Sequence, residues 1–170
     1  MPVPVRLRYQ KVTFVPTLAL LLTAGIFLDL LAMTLLGLDL LSSLLALLVI
    51  SVLVLVLGLS PFLTDHFIED DILVLRQGWY FKARIPLSDI SEVWEVEKGP
   101  LRTGVFFDIR GSSLYVTTQR TRLILLQLKQ PRRFGYALGK KADKVHFDTL
   151  EHRKALALLQ SRIIPASPGR

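Results

Sequence analysis

The sequence predicts a membrane α-helical hairpin followed by a mainly-β domain, with about seven short strands in a sandwich or partly open barrel capped by a C-terminal helix. Three observations carry this fold class. Two long apolar runs lie near the N-terminus. Short alternating segments broken by turn residues follow them. A capped amphipathic segment precedes the last prolines.

The apolar runs cover residues 12–36 and 40–63, with Gly37, Leu38 and Asp39 between them. Each exceeds the ~20 residues that cross a ~30 Å hydrocarbon layer at ~1.5 Å per residue. Two buried helices of a soluble protein are the competing account. Core helices rarely run past ~14 residues without a polar face, yet residues 44–59 carry no charge and only Ser51 as a hydroxyl. The chain has 170 residues, 51% of them hydrophobic, and a mean hydropathy of +0.46, high for a soluble domain. A secretory signal fits poorly, because the first run is too long for its apolar core and no small-residue cleavage pattern follows.

Charge sets the expected orientation. Arg6, Arg8 and Lys11 precede the first run, Asp39 lies between the runs, and Lys and Arg abound after the second. The positive-inside rule then places both termini in the cytoplasm, in a multi-pass protein of the cytoplasmic membrane. The chain has no cysteine, so no disulfide contributes to the fold.

Asp29 is the candidate intramembrane contact. A carboxylate at that depth is costly and usually faces a partner or water. The blander account is a neutral acid, or one reaching the outer interface beside Asp39. Ser42 and Ser43 have no obvious mate, and i−4 carbonyls or close helix packing would account for them.

The expected organisation is a cytoplasmic arm at 1–11, the hairpin at 12–63, one small domain at 64–164 and a disordered tail at 165–170. Strands are expected at 66–69, 72–76, 79–85, 91–98, 104–110, 114–117 and 123–128. Asp70-Asp71, Gln77-Gly78, Gly99-Pro100 and Gly111-Ser112-Ser113 supply turns. Trp79, Phe81, Ala83 and Ile85 alternate with Tyr80, Lys82 and Arg84, as in a half-buried strand. Val93 and Val96 are out of phase, which predicts a bulge. Pro131 is expected to end the strands. Asp148 as N-cap and Glu151 three positions on open a helix with Leu156, Leu159 and Ile163 on one face, widened by Leu158 and stopped by Pro165.

The segment Phe67-Ile68-Glu69-Asp70-Asp71-Ile72-Leu73-Val74-Leu75-Arg76-Gln77-Gly78, followed by Ile85-Pro86-Leu87-Ser88-Asp89-Ile90-Ser91-Glu92-Val93, resembles the bacterial and archaeal pleckstrin-homology-like (PH-like) domains of small membrane proteins. The resemblance spans residues 64–163 and the preceding helix pair. Gly99, Pro100, Leu101 and Gly104 stand where that family has a turn and its next strand. Pro131, Phe134 and the terminal helix match its end. The resemblance implies a PH-like fold, membrane association and homo-oligomeric assembly, and names no chemistry. The stretch 114–128 departs from the pattern, being longer and richer in Thr and Arg.

No catalytic motif stands out, so a non-enzymatic protein without cofactor or metal is expected. His66, His146 and His152 have no metal-ligand spacing and read as surface residues. The Gly135–Lys141 stretch is one residue short of a phosphate loop and lacks the hydroxyl after the lysine. Asp70-Asp71 reads as a turn rather than a carboxylate pair.

Charge is more informative. The formal net charge is +7. Lys129, Arg132, Arg133, Lys140, Lys141 and Lys144 crowd a stretch holding one acid, Asp143, with Phe134 and Tyr136 interleaved. They are the candidate lipid-headgroup contacts, against the plainer account of a solvated face. Basic residues beside a membrane are expected in any case, which disfavours nucleic acid as a partner. Trp79, Tyr80 and Trp94 are candidate partner-binding aromatics, against core packing or interfacial seating. The resulting expectation is a membrane-anchored interaction or scaffold module whose partner is a second copy or another membrane protein. An anionic-lipid sensor using 129–144, or an accessory subunit of a membrane transport or assembly complex using Asp29, is the alternative.

Overall fold

The computed structural model describes residues 4–37, 39–135 and 141–163. The chain divides into two compact units: Lys11–Thr64 with Gly78–Tyr80, and the described part of Met1–Gln10, Asp65–Gln77 and Phe81–Arg170.

In the helical unit, a 3-10 turn at Lys11–Phe14 leads into α1 (Val15–Leu36). Gly37 ends α1 at φ 62°, the left-handed conformation that glycine tolerates. Asp39 accepts from Ser42 N at 3.0 Å and so caps α2 (Leu40–Leu53). The same rod continues as a π-helical stretch, Val54–Leu59, and a 3-10 turn, Ser60–Leu63. The spans Lys11–Leu35 and Leu40–Leu63 are long and apolar enough to cross a membrane, and only 11% of an apolar 18-residue stretch in each is buried. A Cβ on Gly25 would sit 2.5 Å from Ile50 Cγ2, and one on Gly58 2.8 Å from Leu18 Cδ1. These two glycines let the rods touch, as small residues do between membrane helices.

The β unit has two sheets. β1 (Val5–Leu7), β2 (His66–Glu69), β3 (Ile72–Gln77) and β4 (Phe81–Pro86) form an antiparallel sheet in chain order. β5 (Ile90–Lys98), β6 (Gly104–Asp108), β7 (Ser113–Thr117), β8 (Thr121–Arg133) and β9 (Lys141–Phe147) form a second, in the order β5-β8-β9-β7-β6. β7 and β9 pair in parallel. In β4 the expected alternation holds: Phe81, Ala83 and Ile85 are buried while Lys82 and Arg84 are exposed. Ile68, Leu73, Leu75 and Ile85 of the first sheet and Leu114, Ile124, Leu126 and Phe147 of the second are almost wholly buried. The His66 and Phe147 rings meet edge-on at 5.8 Å, linking the two sheets. Each such apolar side chain contributes about 1.5–3 kcal/mol on burial. α3 (His152–Ile163) buries Ala155 and Leu159 fully, and Gln160 Nε2 donates to Val93 O on β5 at 3.2 Å.

Several expectations need correction. The N-terminal arm adds a strand that was not expected, its residues 5–7 pairing with β2 at the sheet edge. Trp79 and Tyr80 lie in a turn, and β4 starts at Phe81. β8 continues through Pro131 to Arg133. Proline is tolerated there because the pairing with β9 is interrupted between Gln127 and Arg132, so no ladder bond is lost. β9 and β1 are the strands beyond the expected seven. The register shift in β5 falls between Ile90 and Glu92, upstream of Val93 and Val96. Asp148 does not cap α3, which begins at His152, because its carboxylate is taken by Thr118. In α3 the buried positions include His152 and Ala155, while Leu156 and Leu158 are half-buried. The tail at 165–170 lies outside the described residues.

Candidate functional site

In the helical unit, Asp29 on α1 meets Ser43 on α2. Ser43 Oγ donates to the two carboxylate oxygens at 3.2 and 3.0 Å, and both residues are buried. Ser43 therefore has a mate that sequence reasoning did not find. The tight turn after Leu36 brings the first turn of α2 back beside the last turns of α1, which was the available signal.

Gly78, Trp79 and Tyr80 belong to the same unit. Gly78 N donates to Thr64 Oγ1 and Trp79 N to Ser60 Oγ, each at 2.9 Å. Ser60 Oγ in turn donates to Val56 O. Gly78 sits at φ +63°, and a Cβ there would meet Ser60 Oγ at 2.5 Å. Trp79 stays 51% exposed beside this helix end. Lys11 Nζ donates to Phe62 O at 2.8 Å, and the Phe14 and Phe62 rings meet edge-on. One end of the hairpin thus carries a lysine and aromatic rings.

Trp94 lies elsewhere, in a row across the five-stranded sheet. The register aligns Trp94, Leu125, His146, Tyr115 and Phe106 in sequence. The rings of His146 and Tyr115 stack at 4.2 Å, those of Tyr115 and Phe106 at 4.7 Å, and Arg102 covers Phe106. Trp94 is half-buried at the end of this row, while Trp79 and Tyr80 belong to the helical unit.

The basic residues divide. Lys82, Ala83 and Arg84 of β4 face Arg132, Arg133, Phe134 and Gly135 across a hollow of about 310 Å³. An adjoining hollow of about 520 Å³ is lined by Pro86, Asp89, Leu128, Lys129, Gln130, Pro131 and Arg132. Arg132 Nη1 bonds Asp89 Oδ2 at 2.9 Å on the wall common to both. Lys82 and Arg84 were read only as the polar side of a strand, and their convergence with Arg132 and Arg133 depends on chain pairing that sequence spacing does not encode. Lys141 opposes Arg133 in the β8–β9 ladder, while Lys144 opposes Gln127 and Ser113 further along the sheet. Lys140 lies outside the described residues, as does Tyr136.

The histidines are not surface residues. His66 is almost wholly buried, accepts from Arg76 N at Nδ1 (3.1 Å), and is held down to about 3 by burial. His146 is held down to about 4, by burial first and by the Lys144 charge second. His152 is buried at the start of α3. Burial pushes Asp148 up to about 6, against the hydrogen bonds from Thr118. No group of three or more His, Cys, Asp or Glu placed to hold a metal ion occurs among the described residues. Comparison with models of protein families, with curated proteins and with solved structures returned no match to this chain.

Proposed function

We propose that this chain is a non-enzymatic, membrane-anchored interaction or scaffold module, with a PH-like β domain working at the cytoplasmic face of the membrane. The observation that carries the reading is the hairpin. Its helices leave Leu20, Phe27, Leu35, Leu40 and Leu48 more than half exposed, on a chain that otherwise builds a well-buried core. A bilayer is the solvent in which such surface is stable. Lys11 beside Phe62, with Trp79 near the same helix end, suits the inner interface, where lysine and tryptophan are favoured. The two sheets and the terminal helix support the PH-like assignment. Sheet edges and the aromatic row offer surfaces for a second copy or for another membrane protein. The test is the native mass of the full-length protein in a lipid nanodisc, joined to crosslinking in cells. A defined oligomer or a complex supports the reading, and a strict monomer that captures no partner overturns it.

A second reading is favoured by the basic hollows: the β domain senses anionic lipid headgroups. Vesicle binding that ignores both lipid charge and salt would reject it.

A further inference from the structure

We propose that the groove between β4 and the end of β8 is a phosphate-binding site, with Lys82, Arg84 and Arg133 as its ligating cations. The inference rests on the anion-sensing reading but keeps only the first part of the stretch 129–144, around Arg133, and adds Lys82 and Arg84 of β4.

Among the described residues, β4 is the last strand of its sheet. Lys82 and Arg84, two residues apart, project from the same side of that strand. Opposite them stand Arg132 and Arg133, which end β8. Across the two adjoining hollows, Lys82, Arg84, Lys129, Arg132 and Arg133 face one acid, Asp89. That acid is already committed to Arg132. Among the described residues, the remaining cations have no carboxylate partner in the groove. Gathering like charges around a concave space is unfavourable until an anion enters. Guanidinium forks match phosphate oxygens in shape and charge, and lysine adds a mobile point charge. Ala83 and Phe134, both buried, complete the lining of the smaller hollow. The smaller hollow admits one phosphate group, and the larger leaves room for the rest of the ligand. The Asp89–Arg132 pair serves as a positioning contact that keeps Arg132 in the wall between the two.

A lipid headgroup and a free phosphate compound present the same chemistry, so the test separates them. Full-length protein in phosphatidylcholine nanodiscs is titrated with inorganic pyrophosphate by calorimetry, alongside a Lys82→Ser/Arg84→Ser variant and a Lys141→Ser/Lys144→Ser variant. Lys82 and Arg84 are exposed, and an unchanged melting temperature verifies that their variant folds. The expected result is binding that weakens at least tenfold in the β4 variant and less than threefold in the β9 variant. Repeating the titration in nanodiscs doped with phosphatidic acid assigns the source. Loss of pyrophosphate binding there identifies the lipid phosphate as the occupant, and unchanged binding identifies a soluble phosphate. If only the β9 variant loses binding, the groove is overturned while headgroup sensing survives. If nothing binds pyrophosphate or discriminates phosphatidic acid, both readings fail, and Lys82 and Arg84 simply guard a sheet edge against strand pairing.

Discussion

Ser43 donates its hydroxyl to both carboxylate oxygens of Asp29, at 3.2 and 3.0 Å, between two helices that are otherwise almost wholly apolar. The contact crosses from α1 to α2 near the closed end of the hairpin. It explains how an acid is accommodated in an apolar helix: the polar group finds its partner inside the hairpin.

Ser43→Ala should therefore destabilise the hairpin by about 1 kcal/mol, the usual scale for a polar contact between membrane helices. Asp29→Asn keeps a hydrogen-bonding partner and should cost less. A double-mutant cycle with Asp29→Leu, read by unfolding in nanodiscs, should give a positive coupling. Additive single effects would show that the two residues do not act as a pair.

Tyr9 is 1% exposed, with its ring 4.9 Å from that of His66. Its neighbours on the arm are tied down: Arg8 O accepts from Leu150 N and from Thr149 Oγ1, and Gln10 N donates to Thr118 Oγ1. Tyr9→Ala should cost about 3–5 kcal/mol, the range for deleting a core aromatic ring. Amide exchange in β2 should accelerate with it. A change typical of a loose terminus would contradict the place of β1 in the sheet.

His66 gives the β unit an acid-sensitive core. Its folded value of about 3 lies below its ordinary 6.5, because burial disfavours the charged ring. The unfolded chain therefore binds the proton first. Stability from this group is present above pH 6.5 and is lost as pH falls towards 3. His66→Asn keeps an acceptor for Arg76 N and should flatten the loss between pH 6 and 4. Stability curves of the two proteins that stay parallel over this range would refute the assignment.

Asp148 acts in the opposite sense. Burial raises its folded value to about 6 from 3.8, so its contribution is present below pH 3.8 and is lost as pH rises through about 6. The stability of the native protein relative to Asp148→Asn should decline by about 2 kcal/mol between pH 4 and 7, at about 1.4 kcal/mol per pKa unit. The check is chemical unfolding of both proteins across that range. A difference that grows with pH would mean that Asp148 is held charged by Thr118.

Gly78→Ala should strain the turn that joins Trp79 to Ser60. Alanine at φ +63° carries a backbone penalty of about 1 kcal/mol, and its Cβ would collide with Ser60 Oγ. Faster exchange of the Trp79 amide and a shift in Trp79 emission are expected. Ser60→Ala should speed the same amide without the strain. Loss of protection in neither variant would mean that the turn is held by other contacts.

The features readable from sequence were those encoded by local periodicity. Residues 12–36 and 40–63 had to form long helices because, Asp29 and a few hydroxyls aside, nothing in them favours water. Phe81, Ala83 and Ile85 point inward because strand side chains alternate. The strand ends at Gly78, Gly99 and Ser112 follow from turn chemistry. The local signal misled at Pro131, where the strand continues because the ladder is already broken, and at Asp148, where a tertiary donor captured a residue placed like a helix cap.

Sequence by itself determined the two apolar spans, the mainly-β character that follows them and the inward faces of most strands. Each depends on residues within one or two turns of one another. Only the tertiary structure decided that the N-terminal arm supplies an edge strand, that His66 is buried, that Ser43 answers Asp29, and that Lys82 and Arg84 stand opposite Arg132 and Arg133. These relations join residues distant along the chain, and the pairing that creates them is chosen by the burial of the whole core rather than by any local pattern.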